Sequence, residues 1–214
     1  MEIQTGVFML EASPHSHVFL IQGEENILID TGMPGQGNKI LQELAPLGID
    51  PKSIRHILLT HHDVDHIGNA AQMEEATGAQ LWAPTQDIPY IARESQRPGV
   101  KRIINAIFKT KIPGSLQPIP PGWEINGVKA VASPGHTPGH TIFIYKKIAF
   151  AGDLLRIRGG VPSLSPKYMN WDYEQAKRSI GLLFNFETEW ICPAHGQPAI
   201  MNGALRSFIA QYAR

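Results

Sequence analysis

The chain has 214 residues, of which 43% are hydrophobic and 18% charged, a composition that excludes a disordered protein and supports a sizeable core. Nineteen basic residues balance nineteen acidic ones, so the net charge excludes a strong overall attraction to nucleic acid or anionic lipid. The single cysteine, Cys192, excludes an internal disulfide, and we expect it to be a small buried residue. The first residues lack the basic region of a signal peptide, and no apolar run approaches the roughly 18 residues of a membrane span. We therefore expect a cytoplasmic protein.

Strand and helix patterns alternate in two similar stretches of the chain. The first stretch contains predicted strands at 17–23 and 26–32, a helix at 35–47, a strand at 54–60, a helix at 67–78 and a strand at 80–84. The second contains predicted strands at 128–133, 141–147 and 148–152, a helix at 173–186, a strand at 189–194 and a closing helix at 205–212. The repeated order predicts two similar α/β halves packed sheet to sheet.

Four of the predicted strands are followed by side chains of the kinds that bind metal ions. These side chains are His61, His136, Asp153 and His195. In α/β proteins, ligands bind in the crevice beyond the carboxyl ends of the strands. The four side chains are therefore candidates for one common site.

The segment 61–66 is the densest group of such side chains. It contains His61, His62, Asp63, Asp65 and His66. Imidazoles and carboxylates packed this closely would repel and desolvate one another unless a cation organised them. A lone aspartate after a strand, such as Asp30 in LIDTG, is in contrast typical of a turn. The segment 61–66 therefore predicts a metal site, whereas Asp30 by itself predicts only a turn.

Four motifs together resemble those of a known enzyme family. They are THHDVDHIG at 60–68, SPGHTPGHT at 133–141, AGD at 151–153 and PAHG at 193–196. They resemble the metallo-β-lactamase superfamily, which includes glyoxalase II and the lactonases that cleave acyl homoserine lactones, and LIDTG matches an early aspartate of that family. The resemblance implies an α/β fold of the αβ/βα four-layer sandwich type, formed by a single domain over residues 1–214, with a dinuclear metal site between the two sheets.

The resemblance also implies a set of metal ligands. The implied ligands are His61, Asp63, Asp65, His66, His136, Asp153 and His195, with Asp153 as the bridging carboxylate. Asp63 is a departure, because it stands where the family's H-x-H-x-D-H motif has its second histidine. It would add a negative charge and a hard oxygen at the first metal and shift preference toward harder ions. His62 is expected to point away, although the sequence leaves open whether His62 or Asp63 completes the first site.

The function implied by the resemblance is metal-dependent hydrolysis of a carboxylic ester, thioester or lactone by a metal-bound hydroxide. The cofactors would be two divalent ions, zinc in the first instance with iron or manganese as alternatives. Asp65 would bind metal and orient the nucleophile. Tyr168 and His140 are candidates for substrate contact, and His140 is alternatively a support for the ligands. We expect a small-molecule substrate, no nucleic acid or membrane partner, and a homodimer as one option.

Three other functions remain open from the sequence alone. A diiron redox enzyme of the same fold is favoured by the carboxylate at position 63, although no flavin-binding domain follows. A phosphodiesterase or nuclease would resemble the branch of the family that matures tRNA, and the neutral net charge argues against it. A non-catalytic metal-binding module is the third alternative.

The segment from about 86 to 121 separates the two stretches and is long enough to suggest a functional insertion. Its apolar stripe consists of Ile103, Ile104, Ile107 and Phe108. We expect the stripe to cap the metal cleft. Arg97, Lys101 and Arg102 would then lie near the rim and favour anionic substrates.

Overall fold

The computed structural model describes residues 1–213 and divides into two compact units, Met1–Pro118 and a second unit that begins at Ile119. Each unit contains one main sheet. Among residues 1–213, no helix is both long and apolar enough to cross a membrane. The assignment of the whole chain to a single domain stays a prediction.

The first unit contains a seven-stranded sheet whose strands follow one another in chain order, and only Ile119, the last residue of its last strand, lies beyond the unit's boundary. Its strands are β1 (Glu2–Gln4), β2 (Val7–Leu10), β3 (Val18–Ile21), β4 (Asn26–Ile29), β5 (Ile54–Leu58), β6 (Gln80–Pro84) and β7 (Gln117–Ile119). Its helices are α1 (Gly37–Leu44), α2 (Ala70–Thr77), α3 (Ile88–Ile91) and α4 (Gly99–Ile107). β4, β5 and β6 are parallel, so their carboxyl ends lie at one edge of the sheet.

The second unit contains a six-stranded sheet and a two-stranded sheet. The larger sheet has the order β15-β14-β11-β10-β9-β8. Its strands are β8 (Glu124–Ile125), β9 (Val128–Ala132), β10 (Thr141–Tyr145), β11 (Ile148–Gly152), β14 (Trp190–Pro193) and β15 (Ala199–Ile200), while β12 (Arg156–Arg158) pairs with β13 (Val161–Ser163). The helices are α5 (Tyr173–Gly181) and α6 (Gly203–Ala210). β11 and β14 are parallel neighbours, which places their carboxyl ends side by side.

Apolar side chains of the helices anchor each main sheet. In the first unit, Ile40 and Leu44 of α1 and Met73 of α2 belong to a buried cluster with residues of β3, β4 and β5. In the second unit, Ile180 of α5 and Ile209 of α6 belong to a buried cluster with residues of β10, β11 and β14. Burial of each such side chain contributes about 1.5–3 kcal/mol, so the strand ends that carry the predicted ligands start from a rigid base.

Candidate metal centre

The loop after β5 places two imidazole–carboxylate pairs at the edge of the first sheet. His61 Nε2 lies 3.4 Å from Asp63 Oδ2, and His66 Nε2 lies 3.9 Å from Asp65 Oδ2. The rings of His61 and His66 are 3.9 Å apart between centroids. Asp65 is partly buried and the other three residues are buried. These four sequence-predicted ligands are therefore neighbours within the first unit.

Asp30 orients the ring of His66. Its buried carboxylate accepts hydrogen bonds from the Thr60 backbone N–H and the Thr60 hydroxyl, each at 2.8 Å. The same carboxylate lies 2.8 Å from His66 Nδ1. Because an ionised carboxylate only accepts hydrogen bonds, we assign the ring proton of His66 to Nδ1. The lone pair of His66 is then on Nε2, where the Ser16 hydroxyl lies 3.3 Å away.

Thr60 extends this orientation to His61. Its hydroxyl donates to Asp30 Oδ2, so its oxygen accepts from His61 Nδ1, which lies 3.0 Å away. His61 therefore also carries its ring proton on Nδ1 and presents an Nε2 lone pair. One buried carboxylate thus fixes two imidazoles, directly for His66 and through Thr60 for His61, as the outer partners of metal-binding histidines do.

The second unit gathers three more of the predicted ligands around one carboxylate. Asp153, which follows β11, lies with Oδ2 at 3.3 Å from His136 Nε2 and with Oδ1 at 3.1 Å from His195 Nε2. His195 follows β14, the parallel neighbour of β11. Asp153 thus turns one carboxylate oxygen toward each of two imidazoles.

Asn170 orients His136 in the way that Asp30 orients His66. The Asn170 side-chain amide donates to the carbonyl oxygens of Ser165 and Pro166, at 3.3 and 2.8 Å. This fixes Oδ1 as the atom that faces His136 Nδ1, at 3.2 Å. His136 therefore donates from Nδ1 and presents its Nε2 lone pair toward Asp153.

The two predicted substrate contacts differ in their surroundings. His140 is buried, accepts a hydrogen bond from the Asp153 backbone N–H at Nε2 (3.1 Å), and lies with Nδ1 2.8 Å from the Ser133 hydroxyl. Both ring nitrogens thus have partners within the second unit, which corresponds to the alternative role of supporting the ligands. Tyr168 lies in a 3₁₀ turn and is 72% exposed. Its contact with substrate stays a prediction.

His62 turns its ring toward α3. Its Nδ1 lies 2.9 Å from Asp87 Oδ2, and its ring stacks on Tyr90 at a centroid distance of 4.5 Å. The backbone N–H of His62 donates to the same Asp87 oxygen at 2.9 Å. This agrees with the expectation that His62 leaves the ligand set, although its Nε2 is still 3.7 Å from Asp63 Oδ1.

Two cations expected near the rim of the cleft are instead buried beside the loop 61–66, so that prediction is wrong. Lys101 Nζ lies 2.6 Å from Asp63 Oδ2. Arg97 donates to the His62 carbonyl oxygen and to Asn105 Oδ1. Burial lowers the pKa of Arg97, against the opposing effects of nearby carboxylates, Asp63 first among them. Buried carboxylate and carbonyl oxygens require partners, and this requirement places both cations in the interior.

The apolar stripe of α4 is largely exposed to solvent. Ile103 and Ile107 are 62% and 69% exposed, and Phe108 is also exposed. Arg102 is the one cation of the three expected near the rim that is exposed. The helix is amphipathic as predicted: it buries Lys101 in the first unit, exposes Ile103 and Ile107, and leaves Ile104 half-buried. The expectation that the segment 86–121 caps the metal cleft stays a prediction.

The donors in each unit fit divalent metal ions. Imidazole nitrogen and carboxylate oxygen are ligand types that zinc, iron and manganese accept. The first unit supplies both types from the loop 61–66, and the second unit supplies both around Asp153. Sequence reasoning missed the positioning roles of Thr60 and Asn170, and assigned Asp30 to a turn. The early aspartate of LIDTG was the available signal for Asp30.

Comparison with known proteins identifies the family. The family model of the metallo-beta-lactamase superfamily matches residues 14–195. The chain belongs to the metallo-β-lactamase superfamily.

Relatives and solved structures of this superfamily resemble the chain over most of its length. Metallo-beta-lactamase domain-containing protein 1 of Xenopus laevis is 29% identical over 85% of this chain and 70% of its own length. Hydroxyacylglutathione hydrolase GloC of Haemophilus influenzae is 29% identical over 72% of this chain and 70% of its own. The structure of a metallo-beta-lactamase from Cronobacter sakazakii, a mutant of its HARLDQ motif, has a TM-score of 0.75 and 21% identity, and the match covers 100% of this chain and 93% of that one.

These findings confirm three of the sequence-based expectations. The family, the metallo-β-lactamase fold class and the assignment as a hydrolase of that fold are confirmed. The individual metal ligands and the substrate contacts stay predictions.

Proposed function

We propose that this metallo-β-lactamase-fold protein is a metal-dependent hydrolase that cleaves a carboxylic ester, thioester or lactone. One observation carries the proposal. His61, His66 and His136 each have Nδ1 held by a partner within their own unit, so that each presents an Nε2 lone pair beside an aspartate. A lone pair that faces an anionic carboxylate is unfavourable unless a cation lies between them, and a metal ion satisfies both groups.

The proposed metal ligands are assigned from the family pattern. In the first unit, His61 and Asp63 would hold the first ion, and Asp65 and His66 the second. In the second unit, the proposed ligands are His136, Asp153 and His195. We propose zinc as the metal, with iron and manganese as alternatives. Two bound divalent cations would supply Lewis acidity, which lowers the pKa of water and polarises a carbonyl group.

The protein's own residues would prepare the site before substrate arrives. Asp30 and Thr60 would keep His61 and His66 in the tautomer that binds metal. His140 would hold the backbone of Asp153 through the hydrogen bond at Nε2. Asp65 would have the remaining task of accepting a hydrogen bond from the attacking water, because it is the partly buried carboxylate of the loop 61–66. Fixed positioning of this kind reduces the reorganisation needed during reaction.

A thioester is the substrate class we favour among the three. The support is the relative GloC, whose name describes hydrolysis of a hydroxyacylglutathione. We further propose a cytoplasmic location and a small-molecule substrate, with no nucleic acid or membrane partner and a homodimer as one option.

The diiron redox enzyme is the second candidate, because Asp63 supplies a carboxylate where the family pattern has histidine. Oxygen consumption in the presence of a reductant would distinguish the redox enzyme from the hydrolase, because only the redox enzyme would consume oxygen.

A substrate panel tests the proposed function. Protein purified without chelator would be assayed on thioesters, lactones, carboxylic esters, β-lactams and phosphodiesters, with zinc, manganese or iron added. We expect hydrolysis of one of the first three classes and its loss in His136→Ala. His56→Ala is the matched control, because His56 is a buried histidine of β5 that pairs with Glu25 away from the candidate ligands. Cleavage of phosphodiesters alone, or equal rates in both variants, would contradict the proposal.

A further inference from the structure

A buried ion pair lies inside the candidate metal centre of the first unit. Lys101 Nζ is 2.6 Å from Asp63 Oδ2, and each side chain is only 9% exposed. Ion pairs on a protein surface contribute little because water screens them, but this one is largely removed from water. Its oxygen is the one that also lies 3.4 Å from His61 Nε2. The ammonium of Lys101 therefore contacts Asp63 Oδ2, the same oxygen that faces the proposed metal ligand His61.

Neighbouring contacts fix Lys101 in this place. Lys101 lies in the first turn of α4, and Arg97 precedes that helix by two residues. Arg97 is buried and donates to the His62 carbonyl oxygen, immediately before Asp63, and to Asn105 Oδ1 within α4. The start of the helix is thereby tied to the loop 61–66. The backbone of Lys101 therefore belongs to an anchored segment. A lysine on such a segment reaches Asp63 with fewer alternative positions than a lysine on an unanchored one would have.

The charges of Lys101 and Asp63 offset one another. An aspartate in place of a histidine adds one negative charge to the first set of ligands, and the lysine adds one positive charge beside it. A lysine ammonium offers three donors and a full positive charge, so its hydrogen bond to Asp63 Oδ2 reduces the negative charge that this oxygen can offer to a metal ion. It also repels a divalent cation at short range. Lys101 and a metal ion thus compete for Asp63.

We propose that Lys101 is a positioning residue that controls metal uptake at Asp63. Its ammonium holds the carboxylate in place and weakens binding of the first metal ion relative to the second, whose ligands Asp65 and His66 lie outside this ion pair. The chain then takes up its two ions with clearly different affinities. The inference rests on the proposed function only in requiring that the site binds metal.

Metal titrations of matched variants test this inference. Zinc dissociation constants would be measured for the wild type, Lys101→Met and Lys101→Arg by competition with a chromophoric chelator. Lys101→Met keeps the length of the side chain and removes its charge, so we expect the weaker constant to tighten about tenfold or more, because a positive charge close to the incoming ion is gone. The tighter constant should change by a smaller factor than the weaker one. Lys101→Arg keeps the charge and should keep wild-type affinities.

Two further variants test whether the change in zinc affinity is specific to Lys101 and whether it acts through Asp63. Arg102→Met removes the neighbouring exposed cation of α4 and should change neither constant, because exposed charges are screened. In an Asp63→Asn background, Lys101→Met should have no effect, since the anion for which it competes is gone. Circular dichroism would establish folding, with Lys101→Gln as the replacement if Lys101→Met does not fold.

The outcomes separate this inference from the proposed function. Unchanged or weakened affinities in a folded neutral variant would overturn the role of Lys101, even if the wild type binds two metals and hydrolyses a thioester. A higher KM for anionic substrates without any change in metal affinity would also overturn it and would make Lys101 a substrate contact. Failure of the wild type to bind zinc at all would instead overturn the proposed function.

Discussion

Replacement of Asp30 by asparagine should change the tautomer of His66 and weaken metal binding. The Asp30 side chain accepts three hydrogen bonds of 2.8 Å, two from Thr60 and one from His66 Nδ1. In Asp30→Asn, the oxygen can still accept from the Thr60 backbone, so the new amide NH₂ faces His66. A donor at that position favours a lone pair on Nδ1, which moves the ring proton of His66 to Nε2, the atom proposed to bind metal.

The size of the effect follows from these contacts. Loss of the proper partner of a metal-binding histidine costs about 10- to 100-fold in metal affinity. Stability should fall by only about 1–3 kcal/mol, because the contacts of Asp30 Oδ2 with the Thr60 hydroxyl and with His66 can both exchange donor and acceptor and stay paired. Asp30 has a φ of 61°, a left-handed conformation that asparagine tolerates. Asp30→Ala should lose more stability, about 3–9 kcal/mol, because three buried donors lose their acceptor at about 1–3 kcal/mol each and alanine is strained at that φ.

Zinc titration and nitrogen NMR of the histidine rings would measure both effects. Asp50→Asn is the matched control, since Asp50 is an exposed carboxylate that caps a 3₁₀ turn by accepting from the Lys52 backbone. The control should bind zinc as the wild type does. Wild-type zinc affinity in Asp30→Asn, together with a His66 proton that stays on Nδ1, would refute the role given to Asp30.

Four other variants and one chemical treatment give distinct results. Asp63→Ala should reduce occupancy of the first metal, while Asp63→His should retain metal binding and shift the preference toward zinc. Elemental analysis would measure the metal content of both variants. Unchanged metal content in both would remove Asp63 from the ligand set. Ser133→Ala should lower the free energy of unfolding by about 1–3 kcal/mol, because the proton on His140 Nδ1 loses its acceptor, and unchanged thermal unfolding would contradict that contact. Burial raises the pKa of the Cys192 thiol well above its usual range, so iodoacetamide should label this residue only after unfolding; rapid labelling of the native protein would contradict its burial. Ile107→Ser should change the free energy of unfolding by less than about 0.5 kcal/mol in urea, since Ile107 is exposed, and a large loss would mean that something covers α4.

The elements could be predicted from the sequence because their signals are local. Asp172 illustrates this, since its side chain accepts from the Gln175 backbone and caps α5 where the helical pattern begins. The predicted helix at 35–47 is an α-helix over Gly37–Leu44 followed by a 3₁₀ turn, because Pro46 cannot continue the α-helical hydrogen bonding. The positions of the candidate ligands after strands could also be predicted from the sequence, because each ligand follows a short apolar run.

The contacts that orient the candidate ligands could not be predicted in the same way. Asp30 and His66 are 36 residues apart, and nothing in either local pattern links them. No local pattern links Asp63 and Lys101 either, because Asp63 lies in the loop 61–66 and Lys101 lies on α4. Periodicity identified α4 as amphipathic but could not tell which face turns inward. The need of a buried carboxylate for a cationic partner decided that orientation, and this need depends on tertiary structure.

Metal content measured together with thioester hydrolysis tests the account most directly. Protein purified without chelator and then reconstituted with zinc would be analysed for metal per chain and assayed on a thioester before and after chelation. We predict two ions per chain and a hydrolysis rate that disappears with the chelator and returns with zinc. A metal content near zero after reconstitution, or thioester hydrolysis that is unchanged by chelation, would contradict metal-dependent hydrolysis.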